Sequence, residues 1–476
     1  MKNTYITITI GCLLFTAGCK VGPNYSRPAV PAQAGWKEQA AATNAAILPA
    51  EWWKIFDDDE LNALEAQAVE ANQDLKRAVA RVTEARALAR VSKADFYPSI
   101  SGGAAYSWNR LSEKNANTPS NTKLEFDAFS TSVDLSYELD VWGRVRRSVE
   151  AANADASAVA ADLQVVLLTL TAEVARNYQL LRSLDNEKAV IETTVALRKD
   201  AVHLQEARHQ GGLINEVDVT RARTELANVE AELQAVVRSR AQAEHALAVL
   251  CGQPAGDFSI AARQLDIVPP TVPTGLPSSL LQRRPDIVEA EQLLEASSAR
   301  IGVAKAAFFP VIKLTSTAGL ASADLGTLVD WPSRFASVGP SITFPIFEGG
   351  RNRSNLKATE AQYEQTVAGY RGTILNAFRE VEDALSDLGT LTSQNDAVNR
   401  ALVSARDTVT LANERYQKGL SNYLDVVDAQ RAALDAERQN AQLRGQRNIS
   451  TILLAKALGG GWEGKGPPDH GPRDHE

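Results

Sequence analysis

The chain is poor in the side chains on which most enzymes and metal carriers depend. Its 476 residues include three cysteines, five histidines and a single methionine, Met1. The histidines are scattered, two in a Gly/Pro-rich tail and three on predicted helices that lack HExxH spacing: His470, His475, His203, His209 and His245. The sequence also lacks a phosphate-cradling glycine loop, so it predicts no catalytic site, no metal site and no cofactor.

An excess of basic residues is missing as well. Lysine and arginine number 50 against 58 acids, which gives a net charge of 50 − 58 = −8. The basic residues alternate with acids along predicted helices, so no basic stripe is available to collect phosphates. Nucleic acid is therefore not expected as a partner.

The N-terminus predicts export. The apolar run that ends at Phe15 is too short to span a bilayer, which takes ~20 residues per helix, so residues 1–18 are predicted to be a cleaved signal peptide. Cys19 follows Thr-Ala-Gly as a lipid acceptor would, although Thr16 departs from the usual leucine of a lipobox. Cys251 remains as a lone thiol of buried type, so disulfides are not expected to stabilise the fold.

Two near-copies of one segment divide the chain. RHQGGLINEVDV begins at Arg208 and RYQKGLSNYLDV begins at Arg415, an offset of 415 − 208 = 207 residues. The same offset relates WGR at Trp142 to GGR at Gly349. Internal repeats decide the fold, and each copy here is predicted to run helix, two strands, long helix, tight turn, helix.

The repeat sets the predicted domain limits. They are a signal peptide (1–18), a lipidated tether (19–58), the first copy (59–252), a Pro-rich linker (253–282), the second copy (283–460) and a disordered tail (461–476).

The long helix of each copy carries an apolar seam. Apolar residues recur at alternating steps of three and four from Val367 to Leu391, and the first copy repeats this rhythm from Leu163 to Leu184. A helix from Arg144 to about residue 207 is on the order of 95 Å long. The flanking helices, predicted from Asp59 to about Lys93 and over thirty-five residues from Glu216, are about half as long. Two of them stacked end to end could lie beside one long helix, so each copy could fill two columns of a helical cylinder.

The predicted strands point to a membrane. FSTSVDLSYELDV, residues 129–141, alternates apolar or threonine residues with polar ones, which places one face in an apolar medium and the other in water. Its length suits a membrane-crossing strand of ~9–11 residues better than an average strand. SISGGAAYSW is its predicted hairpin mate. VIKLTSTAGL and ASVGPSITFPIF form a second hairpin, weakened by Pro340 and Pro345, which favour a strand end or bulge.

Four strands cannot close a barrel by themselves. In lipid an open edge leaves unpaired backbone groups at several kcal/mol each, so closure is expected to come from further copies of the chain. Three copies would supply twelve strands and twelve helical columns.

The chain resembles the outer-membrane factors, the TolC-like exit ducts of bacteria, and most of all their lipoprotein NodT-type branch. The resemblance rests on CKVGPNYSRP, EWWKIFDDDELNALEAQAVEANQDL, PPTVPTGLPSSLLQRRPDI, FFPVIKL, GPSITFPIFEGGR and RYQKGLSNYLDVVDAQR, in that order. It implies a mainly α homotrimer with a transmembrane β-barrel and a periplasmic α-barrel, in contact with outer-membrane lipid and anchored at Cys19. It also implies an efflux channel that passes substrates from a periplasmic adaptor and an inner-membrane pump, expected to be of RND type, to the cell exterior.

The resemblance implies roles for the two Gly-Leu turns. They would be the periplasmic tips on which a hexameric adaptor docks: Gly211, Gly212, Leu213, Lys418, Gly419 and Leu420. The physical chemistry agrees, because glycine supplies the positive φ that reverses a helix and leaves the backbone accessible to a partner.

A periplasmic gate is implied just beyond the second tip. Asp425 and Asp428 are three residues apart and share one helix face, where the resemblance places acids in the narrowed mouth. Rings of like charge there would attract cations and repel anions. Tyr416 matches a tyrosine that holds the mouth closed by bonding to an aspartate, here Asp218.

The expected lock of this gate departs from the family pattern. Ser421 stands where the best-known members carry an arginine. The closure is therefore expected to be weaker, or Arg221 or Arg223 takes over the role.

Rival hypotheses differ in their hairpins and strands. A type I secretion exit duct would share the whole plan. A periplasmic adaptor would show short lipoyl-like and barrel strands flanking one helical hairpin, whereas this chain predicts two. A structural lipoprotein rod without a lumen would lack FSTSVDLSYELDV.

Overall fold

The computed structural model describes residues 20–30, 33, 35–37, 48–114, 124–264, 269–273 and 283–462. The predicted signal peptide, Cys19 and nearly all of the predicted tail lie outside these ranges, as do parts of the predicted tether and linker. The described residues form two compact units. The first consists of Val82–Val159, Ala290–Tyr370 and the described residues up to Ala29, and the second consists of the others. Each unit takes segments from both sequence copies.

The described part of the chain contains seven α-helices. They are α1 (Asp59–Ala71), α2 (Gln73–Ala94), α3 (Arg144–Gln210), α4 (Glu216–Leu250), α5 (Pro285–Ala306), α6 (Arg351–Gln417) and α7 (Tyr423–Ala457). Helices α3 and α6 have 67 residues each, on the order of 100 Å, and α4 and α7 have 35 each. The long helix, tight turn and half-length helix predicted for each copy are confirmed, and these two helices have the same lengths in both copies.

The first predicted helix, from Asp59 to Lys93, is interrupted at Asn72. The backbone of Asn72 is extended there, with φ −60° and ψ 130°. Its side chain accepts a hydrogen bond from the Leu75 N–H at 3.0 Å and donates to the Leu250 carbonyl at 3.0 Å. Asn72 therefore caps the start of α2, and the prediction of a single helix was wrong because it overlooked this cap.

The first unit contains one four-stranded antiparallel sheet in the order β1-β2-β3-β4. The strands are β1 (Ser99–Arg110), β2 (Glu125–Glu138), β3 (Val311–Ser322) and β4 (Arg334–Thr343). The two predicted hairpins are joined where β2 pairs with β3, and all strands have 10 to 14 residues. Pro340 lies within β4 opposite Leu314, and it is tolerated because β4 is an edge strand of this sheet.

Strand β2 begins earlier and ends earlier than predicted. Its last residue is Glu138, because Asp140 leaves the strand to accept the backbone N–H groups of Val145 and Arg146, each at 2.9 Å, at the start of α3. The alternation up to residue 141 therefore runs into the turn. The first residues of β2 went unpredicted because Asp127 is polar on the otherwise apolar face.

The two faces of the sheet differ as the alternation predicted. On one face Asp134 accepts hydrogen bonds from Thr317 at 2.7 Å and from Ser132 at 2.9 Å. On the other face the rings of Tyr106 and Phe129 lie 4.9 Å apart. We call these the polar face and the apolar face.

The predicted seam of α3 forms the core of the second unit. Leu170, Val174, Tyr178 and Leu181 are all buried there. By length and composition, α3 is also the one described helix with an 18-residue window apolar enough to cross a membrane, at a mean hydropathy of 1.6. Of that window, 39% is buried in the single chain.

Candidate functional site

The first predicted tip is the turn between α3 and α4. Gly212 has φ +71° and donates to the His209 carbonyl at 2.9 Å, and the Leu213 N–H donates to the Arg208 carbonyl at 2.9 Å. These two bonds make a Schellman motif, which ends a helix in a left-handed residue. Asn215 then caps α4 by accepting a hydrogen bond from the first turn of that helix.

The second predicted tip, between α6 and α7, repeats the same bonds. Gly419 has φ +74° and donates to the Tyr416 carbonyl at 3.0 Å, and the Leu420 N–H donates to the Arg415 carbonyl at 2.8 Å. Asn422 caps α7 by accepting from the first turn. The repeat seen in the sequence is thus a repeat of one backbone turn.

Each tip presents an exposed leucine. Leu213 is 72% exposed and Leu420 is 65% exposed. Gly211 and Lys418 hold equivalent positions before the left-handed glycine, and both are exposed. No atom lies within 4 Å of the place where a β-carbon would sit on either left-handed glycine. These two glycines are therefore required for their φ angle and not for space.

The helices behind the two tips differ in charge at two equivalent positions, where α7 carries two acids and α4 carries one acid and one arginine. Asp425 and Asp428 are both exposed on α7, and a carboxylate oxygen of Asp428 lies 3.8 Å from the Arg431 guanidinium. Within the ranges given above, Asp425 has no ion-pair partner. At the equivalent positions of α4 stand Asp218 and Arg221, which pair with each other at 3.6 Å. Asp218 thus has the arginine of its own helix turn as a partner, whereas Asp428 shares Arg431 with Glu225 and Asp425 is left with its full negative charge.

Tyr416 does not make the predicted bond to Asp218. Its hydroxyl donates to the side-chain oxygen of Gln205 on α3 at 3.1 Å. The Tyr416 ring lies 5.7 Å from the Tyr423 ring, and the Arg208 guanidinium lies over it at 4.8 Å. These ring contacts turn the hydroxyl toward α3, which is why Gln205 and not Asp218 receives the bond.

The two arginines predicted to replace the one missing at Ser421 differ in their contacts. Arg221 pairs with Asp218 within α4. Arg223 instead donates to Glu206 of α3 at 2.6 Å. Of the two, only Arg221 meets the aspartate of the predicted gate.

A charged cluster is buried between three helices near the tips. Arg198 of α3 is 2% exposed, donates to Gln430 at 2.6 Å and lies 3.9 Å from Glu225 of α4. Glu225 is 3% exposed and accepts two hydrogen bonds from the Arg431 guanidinium of α7. Burial lowers the pKa of Arg198, and the hydrogen bonds from Arg431 lower the pKa of Glu225. The cluster ties α3, α4 and α7 together.

Sequence reasoning missed this cluster, although a signal was present. Arg198 stands between the buried Val195 and Val202 on the seam of α3, and Glu225 follows the buried Ala222 on the seam of α4. A charge in a seam position is costly unless it is paired. Opposite charges on two neighbouring seams therefore predict a buried ion pair.

The described chain that follows Cys19 is held on the first unit. The Lys20 ammonium pairs with Glu150 at 2.6 Å, and the Val21 N–H donates to the Trp142 carbonyl at 3.1 Å. Trp142 lies between the end of β2 and the start of α3. Residue 20 is thus placed at the junction of strand and long helix, whereas Cys19 lies outside the described residues.

Known proteins are similar to this chain in fold and in sequence. A family model described as outer membrane efflux protein matches residues 64–253 and 276–460. Outer membrane protein OprJ of Pseudomonas aeruginosa is 34% identical over 462 residues, which cover 96% of this chain and 95% of OprJ. Cation efflux system protein CusC of Escherichia coli O6:H1 is 34% identical over 461 residues, covering 94% and 97%. The solved structure of the outer-membrane channel OprN matches with a TM-score of 0.87 at 30% identity, over 94% of this chain and 100% of that one.

Proposed function

Since the chain belongs to the outer membrane efflux protein family, we propose that three copies of it form the exit duct of a tripartite efflux system, docked at their tips to a periplasmic adaptor. The protein is an efflux channel of the bacterial outer membrane. An inner-membrane pump, of RND type in this proposal, supplies the substrates that leave through it. The observation that carries the docking proposal is the repetition of one exposed turn.

The duplicated turn gives an adaptor the same surface twice per chain. Both turns have the same Schellman bonds, and both end in a leucine that is at least 65% exposed. Burying a leucine side chain completely contributes about 1.5–3 kcal/mol, so an exposed leucine at each turn is an effective contact for a partner. Three chains offer six such turns, which suits a hexameric adaptor.

The acids behind the second tip make the gate of this proposal. Asp425 and Asp428 in three copies form two rings of negative charge at the mouth, which attract cations and repel anions. Asp218 contributes less because Arg221 neutralises it. Tyr416 helps to hold the mouth closed through Gln205, which ties the end of α6 to α3.

Lipidation of Cys19 anchors the chain in this proposal, and no other cofactor is required. The position of Lys20 supports this anchor, because it lies at the junction of β2 and α3, where the membrane-crossing strands end and the long helix begins. Replacing Cys19 by alanine should abolish incorporation of labelled palmitate. Persistent label on that variant would contradict the anchor.

Photo-crosslinking at the tips tests the duct. A photoreactive residue at Leu420 or Leu213, irradiated in whole cells, should capture an adaptor that mass spectrometry identifies. Val403 is the matched control, because it is 62% exposed on α6 but lies away from the turn. Capture of neighbouring copies alone from both tips, with normal outer-membrane expression, would overturn the docking proposal. The transporter that the captured adaptor serves separates RND efflux from type I secretion.

A further inference from the structure

One large apolar side chain stands on the polar face of the sheet. That face is marked by Ser132, Asp134 and Thr317, which are joined by hydrogen bonds. Gly319 is two residues beyond Thr317 on β3 and therefore shares its face. Phe335 of β4 pairs in register with Gly319. Alternation along these strands thus places Phe335 among the polar side chains.

The contacts of the Phe335 ring agree with this placement. A β-carbon built on Gly319 would lie 2.9 Å and 3.0 Å from two carbons of the ring, so the ring covers the side of Gly319 that faces the polar surface. The same β-carbon would also collide with the Thr131 carbonyl. Glycine at this position lets the ring lie close against the sheet. Phe335 remains 39% exposed in the single chain.

The residues that pair across the sheet in register with Phe335 all have small side chains. Across the four described strands this row consists of Gly103, Ser132, Gly319 and Phe335. Phe335 is the one large side chain in that row. Its neighbour Val338 is 76% exposed and lies on the apolar face, three residues along the same strand.

A barrel of twelve strands makes such a side chain consequential. Eight-stranded barrels are filled by their own side chains, and those of sixteen to eighteen strands leave a wide aqueous channel. Twelve strands lie between these limits, so a few large side chains set the free cross-section. An apolar constriction also resists water and ions by dewetting.

We propose that the Phe335 side chains of three copies form an apolar collar inside the barrel lumen, which delays bulky polar solutes and lets compact or apolar ones pass. This inference rests on the trimeric duct of the proposed function, in which the polar face lines the lumen. Aromatic cargo gains offset-stacked or edge-to-face contacts with the phenyl rings as it passes. The collar makes the barrel a second selective element, independent of the gate at the tips.

A cysteine beneath the collar measures access through it. Thr315 lies on the polar face of β3, four residues from Gly319 and about 13 Å farther from the β3–β4 loop. Thr315→Cys in a Cys251→Ser background is labelled on intact cells with a small charged methanethiosulfonate and with a bulky maleimide–polyethylene glycol. Cys251 is 0% exposed, so its replacement removes a silent thiol.

Removing the ring should change the labelling rates unequally. Phe335→Ala is expected to speed labelling by the bulky reagent about tenfold while changing the small reagent less than about twofold. Phe335→Leu, which keeps an apolar side chain of similar reach, should retain most of the exclusion. Val338→Ala, a substitution on the apolar face of the same strand, should leave both rates unchanged.

The failures of the two proposals are distinct in this experiment. If Thr315→Cys is labelled but Phe335→Ala leaves the ratio of the two rates unchanged, the collar is overturned and the duct stands. If neither reagent labels Thr315→Cys in any background, although the protein is present in the outer membrane, the polar face is no water-filled lumen. The duct then falls together with the collar.

Discussion

The two tips share their backbone but not the side chains behind it. The bonds of the first turn are 2.9 Å and 2.9 Å, and those of the second are 3.0 Å and 2.8 Å. Behind these turns Arg221 stands where the second copy has Asp428, and Glu225 stands where the second copy has Ala432. Duplication has kept the shape of the turn while the charges on the two following helices have diverged.

This difference separates two tasks. A docking surface for a partner with repeated subunits must itself be repeated, and the conserved geometry of the two turns meets that need. The proposed gate requires charge only on the helix face that lines the mouth, and α7 carries Asp425 and Asp428 where α4 carries Asp218 and Arg221. In the proposed gate the second copy therefore supplies the lining, while the first supplies Glu225, the buried acid whose ion pair with Arg431 holds α7 in place.

Loss of the buried acid should have the largest effect. Glu225→Ala leaves Arg198 buried without its counter-charge and is expected to cost about 3 kcal/mol of unfolding free energy. This loss of stability can be measured by hydrogen exchange along α4 and α7 together with thermal unfolding. Glu414→Ala is the control: its pair with Lys418 is exposed at 57% and 66%, so about 0–1 kcal/mol is expected. Equal losses in the two variants would contradict the role of burial.

Lowering the pH should weaken the buried cluster around Glu225. Arg431 lowers the pKa of Glu225, so the stabilisation is fully present above the unfolded-state value of about 4.3 and is lost as pH falls through the lower folded value. The stability of the wild type should therefore decline more steeply than that of Glu225→Gln below about pH 4. Parallel declines in a pH series of unfolding would count against the pair.

Removing the acids of the second face should alter ion selectivity. Asp425→Ala combined with Asp428→Ala is expected to cut the preference for cations several-fold in planar bilayers, because both charge rings disappear. Asp218→Ala should have a much smaller effect, since Arg221 already neutralises that acid. If Asp218→Ala changed the ion selectivity more than the double variant, the first copy and not the second would line the mouth.

Replacing the left-handed glycine should cost the same stability at both tips. Gly212→Ala and Gly419→Ala each force a β-carbon into a positive φ, at about 1–2 kcal/mol. Local hydrogen exchange at each turn provides the measurement. Because no neighbouring atom is displaced at either position, clearly unequal costs would show that the two turns are not equivalent.

The tyrosine contact should give the smallest effect. Tyr416→Phe removes the hydrogen bond to Gln205 and is expected to weaken the closed mouth by about 0.5–1.5 kcal/mol, which raises the open fraction in single-channel records. The double variant with Gln205→Leu should be nearly neutral relative to Tyr416→Phe, because neither partner is then left unsatisfied. If Asp218→Ala rather than Gln205→Leu proves non-additive with Tyr416→Phe, the partner expected from the family resemblance is restored.

Helix limits were predictable where the sequence carries a cap. The predicted 35-residue helix from Glu216 matches α4, because Asn215 marks its start and the seam continues without interruption. Asn72 interrupts the first helix with the same kind of cap, but its flanking residues keep a helical pattern, so periodicity alone did not reveal the break. The interruption depends on the Leu250 carbonyl, which is distant in sequence.

The contacts at the candidate site were less predictable than its residues. The repeat and the family resemblance identified Tyr416 and the aspartates as candidate residues. The bond from Tyr416 to Gln205 could not be predicted in this way, because it depends on the packing of the Tyr416 ring against Tyr423 and Arg208. Phe335 stood in a strand whose alternation was weak because of Pro340. Only the register with Gly319 reveals which face it occupies.

The edge strands β1 and β4 carry a genetic consequence. Because each edge must be completed by another subunit, a defect in one edge spoils a whole ring and not just one chain. If half of the chains in a cell carried such a defect, only about one trimer in eight would be free of it. An allele that disrupts the pairing edge is thus expected to be dominant over the normal gene, even though the affected chain has lost its own activity.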